Sequence, residues 1–234
     1  NMTISGETID YGPCAFMDKY DPGTVFSSID LQGRYSYFNQ PKIAKWNLER
    51  FAESLLPLIN TDNTKAIEDA EEILKEFPKN YKKKWLKMMR KKLGLIEEQN
   101  SDEELIVELL LWMHENNADY TNTFCFLMKE LKKKEAIYSD TKFLSWKKKW
   151  DNRRKLNNSK EESVRIMREA NPLIIPRNHL VENALKKATE QNDLKNYREL
   201  LETIKDPYKN ISKISDFQLS PNINDKKYKT YCGT

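Results

Sequence analysis

Glycine is scarce in this chain: six among 234 residues, with no G-x-G-x-x-G loop among them. A glycine-rich cradle, whose backbone N–H groups approach nucleotide phosphates closely, is therefore not encoded here. Histidine is scarcer still. His114 and His179 are the only two, which excludes a histidine-based metal cluster and leaves any metal to hard oxygen donors. Both stand near predicted helix ends, where a lone histidine usually caps or packs. The three cysteines, Cys14, Cys125 and Cys232, form no CxxC pair, so neither a disulfide scaffold nor a zinc site fits. No run approaches the ~18 apolar residues of a membrane helix. The opening Asn1-Met2-Thr3-Ile4-Ser5 has neither the charged flank nor the apolar stretch of a secretory signal. With no initial Met, the chain is expected to be trimmed or partial. Charge of one sign is lacking too: 40 basic residues face 36 acidic ones, a net +4, well short of a nucleic-acid footprint.

What is present is the material of a folded, helix-rich protein. Apolar residues make up 38% and aromatics 11%, and five tryptophans recur inside periodic segments; charged residues, at 32%, supply solvated helix surface. The expected fold class is mainly α. Residues 1–40 form the irregular part, punctuated by Gly6, Gly12, Pro13, Pro22, Gly23 and Gly33. Met2-Thr3-Ile4, a Ser5-Gly6 turn and Thr8-Ile9 predict a short β-hairpin with Asp10 at its exit. From Pro41, suited to a first helical position, Ile43, Trp46, Leu48, Phe51, Leu55 and Leu58 repeat at helical spacing. Further helices are predicted over 62–77, 79–93, 101–116, 119–134, 140–156, 160–170, 178–190 and 193–204, so that 41–205 forms a helical bundle. Ser101 with Glu104, and Ser159 with Glu162, fit the capping box. The tail, 206–234, holds Pro207, Pro221, Asn222 and Asn224 without periodicity and reads as an extended strap.

Three basic runs, Lys82-Lys83-Lys84, Lys132-Lys133-Lys134 and Lys147-Lys148-Lys149, lie near Trp85, Trp146 and Trp150. Stacking platforms for single-stranded nucleic acid have that composition. Trp146 and Trp150, however, are four apart with Phe143 nearby, as core residues on one helix face would be. Acidic runs such as Glu68-Asp69 and Glu71-Glu72 offset the lysines, so solvated helix faces explain the runs better. Cys125, between Phe124 and Phe126, reads as a buried core thiol.

The chemistry-bearing constellation is Asn1 with Asp10-Tyr11-Gly12, joined by the predicted hairpin. Protein kinases place a metal-binding Asn, a hairpin and an Asp-Phe-Gly triplet in this order. The phosphates of ATP need their charge neutralised, and Mg²⁺ takes amide and carboxylate oxygens. A tight hairpin can return the chain so that both ligands meet at one ion, and Gly12 lets the next loop turn away. Taken alone, the spacing is weak: a surface turn after a terminal Asn gives the same letters.

The wider run decides it. Asn1-Met2-Thr3-Ile4-Ser5-Gly6-Glu7-Thr8-Ile9-Asp10-Tyr11-Gly12-Pro13-Cys14-Ala15-Phe16-Met17-Asp18 closely resembles the selenoprotein O family of kinase-like proteins. So does its continuation through Gly33-Arg34-Tyr35, Asn39-Gln40-Pro41 and Trp46-Asn47-Leu48. Ala118-Asp119-Tyr120-Thr121-Asn122-Thr123-Phe124, Asn171-Pro172, Arg177-Asn178-His179 and Asp206-Pro207-Tyr208 extend the resemblance along the chain.

That resemblance implies a protein-kinase-like C-lobe, with the hairpin at its active-site edge and the N-terminal nucleotide-binding lobe outside this chain. It implies an adenylyltransferase that binds ATP in reverse and passes AMP to a Ser, Thr or Tyr hydroxyl of a protein. Asn1 and Asp10 become the metal ligands for Mg²⁺, or Mn²⁺ in its place, and Asp10 also lies against the nucleotide phosphates. The family's catalytic base is an Asp just before this Asn, and the remaining ATP-gripping groups also precede Asn1, so this stretch alone is expected to be inactive. Residues 13–40 correspond in order to an activation segment. Arg34, Tyr35, Tyr37 and Asn39 would either line a protein-substrate groove or, for the two tyrosines, pack the segment onto the bundle. Cys232-Gly233-Thr234 resembles the family's terminal selenocysteine or cysteine with two small residues, implying a redox role with a cysteine after the triplet, here Cys14. Read from the residues alone, Cys232 is equally an unpaired surface thiol. Where relatives tend to carry Arg this chain has Cys125. The expected partners are ATP and hydroxyl-bearing proteins, without nucleic acid or membrane, and the expected state is a monomer. The implied location is cytoplasmic for a bacterial member and mitochondrial for a eukaryotic one. Two alternatives stay open: a non-catalytic helical pseudokinase module, and an ordinary kinase that transfers the terminal phosphate.

Overall fold

The computed structural model describes residues 2–7, 15–132, 135–156, 159–209 and 214–221, and among these the architecture is helical. An isolated antiparallel bridge, Lys19 to Asp119, stands in place of any sheet among the described residues. The predicted hairpin is described only in its first half, where Gly6 at φ +74 donates its N–H to the Thr3 carbonyl in a turn. Thr8, Ile9 and Asp10 lie outside the described residues. Two compact units divide the chain.

The first unit holds residues 2–7 and 22–86. Its opening loop is tied locally. The Asp30 carboxylate accepts from the Arg34 and Tyr35 N–H groups at 2.8 and 2.7 Å, and Asn39 Nδ2 donates to the Arg34 carbonyl at 3.0 Å. A 3-10 turn, Tyr37–Asn39, then leads into α1 (Gln40–Ile59), with Pro41 in the first turn as predicted. The helix α2 (Asn63–Lys75) starts at Asp62, whose carboxylate accepts from the Thr64 and Lys65 N–H groups. Tyr35 is 53% exposed, and the Arg34 guanidinium lies over the Tyr35 and Trp46 rings.

The second unit holds residues 15–21 and the described residues between 87 and 221, with α3 (Phe77–Leu93) running from the first unit into it. Its helices are α4 (Asp102–Glu115), α5 (Tyr120–Leu127), α6 (Thr141–Arg154), α7 (Lys160–Ala170), α8 (Asn178–Gln191), α9 (Lys195–Ile204) and the short α10 (Ile214–Gln218). Phe124, Phe143, Trp150, Leu109, Met113, Met167 and Ile174 are fully buried in its core. Trp146 and Trp150 stack at 6.0 Å with an interplanar angle of 9°. Each also satisfies its ring N–H inside the protein, Trp146 on the Leu105 carbonyl and Trp150 on the Leu93 carbonyl. These tryptophans are core, as their spacing predicts, and buried indole N–H groups need such partners. The neighbouring lysines pair outward: Lys147 with Asp151, Lys149 with Glu108. No helix among the described residues is long and apolar enough to cross a membrane.

Three predicted features come out differently. The helix expected over 119–134 stops at Leu127, because Lys129 takes φ +63 and the Lys129 and Glu130 N–H groups turn back onto the Phe126 and Cys125 carbonyls. This is a Schellman ending made without glycine. Ser159 caps α7 by accepting from the Glu162 N–H at 3.1 Å, but Ser101 makes no side-chain cap. There Asp102 accepts from the Gln99 N–H at 3.0 Å and from Arg153 at 2.6 Å. The tail is not wholly a strap, since it contains α10.

Candidate functional site

Four predicted site residues, Asn1, Asp10, Cys14 and Cys232, lie outside the described residues. The described structure gives instead the seating of the segment that follows the Asp10-Tyr11-Gly12 triplet. Residues 15–21 run against the start of α5 and α8 as a laced strip. Phe16 and Asn178 exchange two hydrogen bonds, Phe16 N–H to Oδ1 at 3.1 Å and Nδ2 to the Phe16 carbonyl at 2.9 Å. The Tyr20 N–H donates to the Ala118 carbonyl and the Tyr120 N–H to the Asp18 carbonyl, at 2.9 and 2.8 Å. The Tyr20 and Tyr120 rings stack at 5.7 Å.

Beneath the strip lies a buried ionic knot. Arg177, 1% exposed, is the residue before α8, and its guanidinium gathers groups from three distant parts of the chain. Nη1 donates to Asp18 and, at 2.7 Å, to Asp119 Oδ2. Nη2 reaches Asn122 Oδ1 at 3.0 Å, and Nε the Phe217 carbonyl at 3.3 Å. Asp119 serves twice, since its other oxygen caps α5 by accepting from the Asn122 N–H at 2.8 Å. Ser220 adds a hydroxyl donor to Asp119 at 2.8 Å, and Asn122 Nδ2 holds the Gln218 carbonyl at 2.9 Å. A planar guanidinium suits this because its N–H groups fan toward several acceptors at once.

The charges are uneven: one guanidinium faces two carboxylates. Burial pushes the Asp18 carboxyl above its ordinary value and Arg177 only partly offsets it. Burial pulls the Arg177 guanidinium down, but Asp119 and Asp18 outweigh that and raise it. Both Asp18 and Asp119 are therefore occupied by Arg177, which makes them poor metal ligands. Among the described residues no group of three or more His, Cys, Asp or Glu is placed to hold a metal ion.

Beside the knot, Cys125 is fully buried, as predicted, and burial pushes its thiol up to about 12. Its Sγ lies 3.7 and 3.8 Å from the Pro172 and Leu173 carbonyls. Such a thiol is inert. Lys92, also buried, lies over the Phe124 ring at 4.5 Å, and burial lowers its ammonium to about 8. His114 sits in the last turn of α4 with Nδ1 3.7 Å from Asp21.

Sequence reasoning gave Asp18, Asp119, Asn122 and Arg177 no role, although all four sit in stretches that resemble the family. The predicted helix over 119–134 took Asp119 as its first residue, whereas the structure makes it the cap before α5, a position that favours Asp. Nothing in the spacing of 18, 119 and 177 announces that they meet.

The family model described as protein adenylyltransferase SelO matches residues 1–205. Protein nucleotidyltransferase YdiU of Pelagibacter ubique is 54% identical over the whole chain. The proteins of that name from Alkaliphilus metalliredigens and Bacillus cytotoxicus are each 49% identical over the whole chain. The chain spans about half, 48%, of the length of each of these curated relatives. With a family model matched over 1–205 and near-half identity along its entire length, the chain belongs to the SelO family of protein adenylyltransferases.

Proposed function

We propose that this chain supplies the metal-ligand hairpin and helical part of a protein adenylyltransferase that moves AMP from ATP to Ser, Thr or Tyr hydroxyls of other proteins. The observation that carries this reading is the family match, which begins at Asn1 and runs through Asp10-Tyr11-Gly12. In the reaction a hydroxyl oxygen bonds to the α-phosphorus, the bond to the bridging oxygen breaks, and pyrophosphate leaves with the proton passed to a base. Asn1 and Asp10 offer an amide and a carboxylate oxygen, donors that suit Mg²⁺ or Mn²⁺. Bound there, the ion would neutralise phosphate charge.

What this chain's described residues do is hold the strip that follows. Asp18 lies eight residues beyond Asp10, and the Arg177 knot fixes its carboxylate while Asn178 and Ala118 fix the backbone on either side. Positioning provides most of the catalysis in phosphate-group transfer, so a rigid exit for the triplet's segment supports the reading. The two metal ligands need the rest of the family's length to act, and the chain alone transfers nothing.

The test uses the full-length reading frame with ATP, a mixed protein substrate, and Mg²⁺ or a chelator, followed by mass-spectrometric mapping of modified residues. AMP on Ser, Thr or Tyr is expected only with the metal. Asp10→Ala should reduce it about 100-fold or more, the effect of losing several kcal/mol of charge stabilisation. Undiminished transfer in Asp10→Ala would remove the residue from the site.

A further inference from the structure

The last turn of α6 carries two consecutive arginines with different surroundings. Arg153 is buried and pairs with Asp102 at 2.6 Å. Arg154 is half-buried and turns toward α7. Its Nε donates to the Ser163 hydroxyl at 2.9 Å, and its guanidinium lies over the Trp150 ring at 4.5 Å. These two contacts fix the plane of the group and leave Nη1 and Nη2, a fork shaped for a carboxylate, directed elsewhere. Burial pulls this guanidinium below its ordinary value; Asp151, the carboxylate that offsets part of the effect, is already paired with Lys147.

Arg154 stands in a cleft of about 800 Å³ between α6 and α7, with Lys147, Lys148, Lys155 and Lys160 around it and Asp151 as the one carboxylate of the lining. Lys155 donates to the Asn152 amide oxygen at 2.9 Å. Among the described residues Lys148 and Lys160 have no ion-pair partner, whereas Lys149, outside the lining, pairs with Glu108. Five cations facing one carboxylate in a cleft focus a positive potential on whatever enters it. A partly desolvated arginine without a carboxylate of its own costs stability until an anion arrives.

We propose that this cleft binds an acidic peptide segment of a partner protein, with Arg154 gripping a carboxylate and the lysines attracting the segment along the rim. Three observations select a peptide. The basic lining on α6 runs from Lys147 to Lys155, about 12 Å of helix, the reach of about four extended residues. Leu144, 50% exposed, adds an apolar wall that a peptide side chain can use. No base can stack here, because the Trp150 ring is 1% exposed and lies under Arg154 and Lys147. The inference rests on charge and packing within the second unit and is independent of the transfer chemistry.

Fluorescence anisotropy of a labelled oligoglutamate peptide on the full-length protein, at physiological ionic strength, tests it, with oligoglutamine of equal length as the control. Oligoglutamate should bind and oligoglutamine should not. Lys148→Glu with Lys160→Glu, both at exposed positions, should keep the helicity and weaken binding about tenfold or more. Arg154→Lys keeps the charge but loses the planar fork, and should weaken binding about fivefold. Absent binding of oligoglutamate overturns the proposal, as does equal binding by the native protein and the double lysine variant. A single-stranded oligonucleotide of equal length that binds more tightly than the peptide, and loses affinity in the same double variant, also overturns it by assigning the cleft to nucleic acid.

Discussion

Arg177 brings one positive charge to the buried Asp119 and the largely covered Asp18, and taking it away strands the two carboxylates together. Arg177→Met is expected to cost about 3–5 kcal/mol, the range for breaking a buried pair from one side. Arg177→Lys should recover only part, because an ammonium cannot reproduce the fork to Asp18, Asp119 and Asn122. Urea unfolding of the chain measures both, and a loss below about 1 kcal/mol for Arg177→Met would mean the knot contributes little. Lys92 gives a pH signature. Burial holds its folded pKa at about 8, below the ordinary 10.5. Between those values the folded state binds fewer protons than the unfolded one, so stability rises with pH. Cys125, pushed up from 9.0 to about 12, acts in the opposite sense above pH 9. The net rise is therefore confined to about pH 8–9 and amounts to at most about 1.4 kcal/mol. Unfolding measured at pH 8 and pH 9 should show it in the native chain, and Lys92→Met should flatten it.

At the scale of elements, the end of α3 lies tight against α7. Gly94 ends α3 at φ +66, and an added Cβ would meet Ser163 Oγ at 2.6 Å and Met167 Cγ at 2.8 Å. The Ser163 hydroxyl also donates to the Gly94 carbonyl at 2.7 Å. Gly94→Ala combines a left-handed backbone with overpacking and should lower stability by about 2–4 kcal/mol, read from the shift in the urea midpoint. Glycine at this position was legible as a helix stop, as was Pro41 as a helix start, because both residue types restrict or free φ in one way. The ending of α5 was not legible. Lys129 adopts φ +63 although its residue type announces nothing, and it does so where Phe124, Cys125, Leu127 and Met128 are all buried. Ser101 misled for a related reason: the capping pattern is present, but it is Asp102, paired with Arg153 and accepting from the Gln99 N–H, that ties down the helix start. Periodicity reports which residues share a face. It does not report what covers that face: on α1, Phe51 is 41% and Leu58 82% exposed.

For the whole molecule, the proposed metal ligands Asn1 and Asp10 were picked out in the letters by residue type and short spacing, and both lie outside the described residues. The knot that seats the following segment was unreadable, because 18, 119 and 177 meet only through the packing of α5 and α8. Family membership and the helical architecture are common to an adenylyltransferase, a kinase and a silent relative; what separates them is which phosphorus of ATP is attacked. The decisive measurement incubates the full-length protein with a divalent metal and ATP labelled at either the α- or the γ-phosphate, and follows label into protein. The account predicts label from the α-position, lost in Asp10→Ala. Label from the γ-position alone would make the protein a kinase, and none from either, with folded protein, would make it a non-catalytic module; both contradict the account.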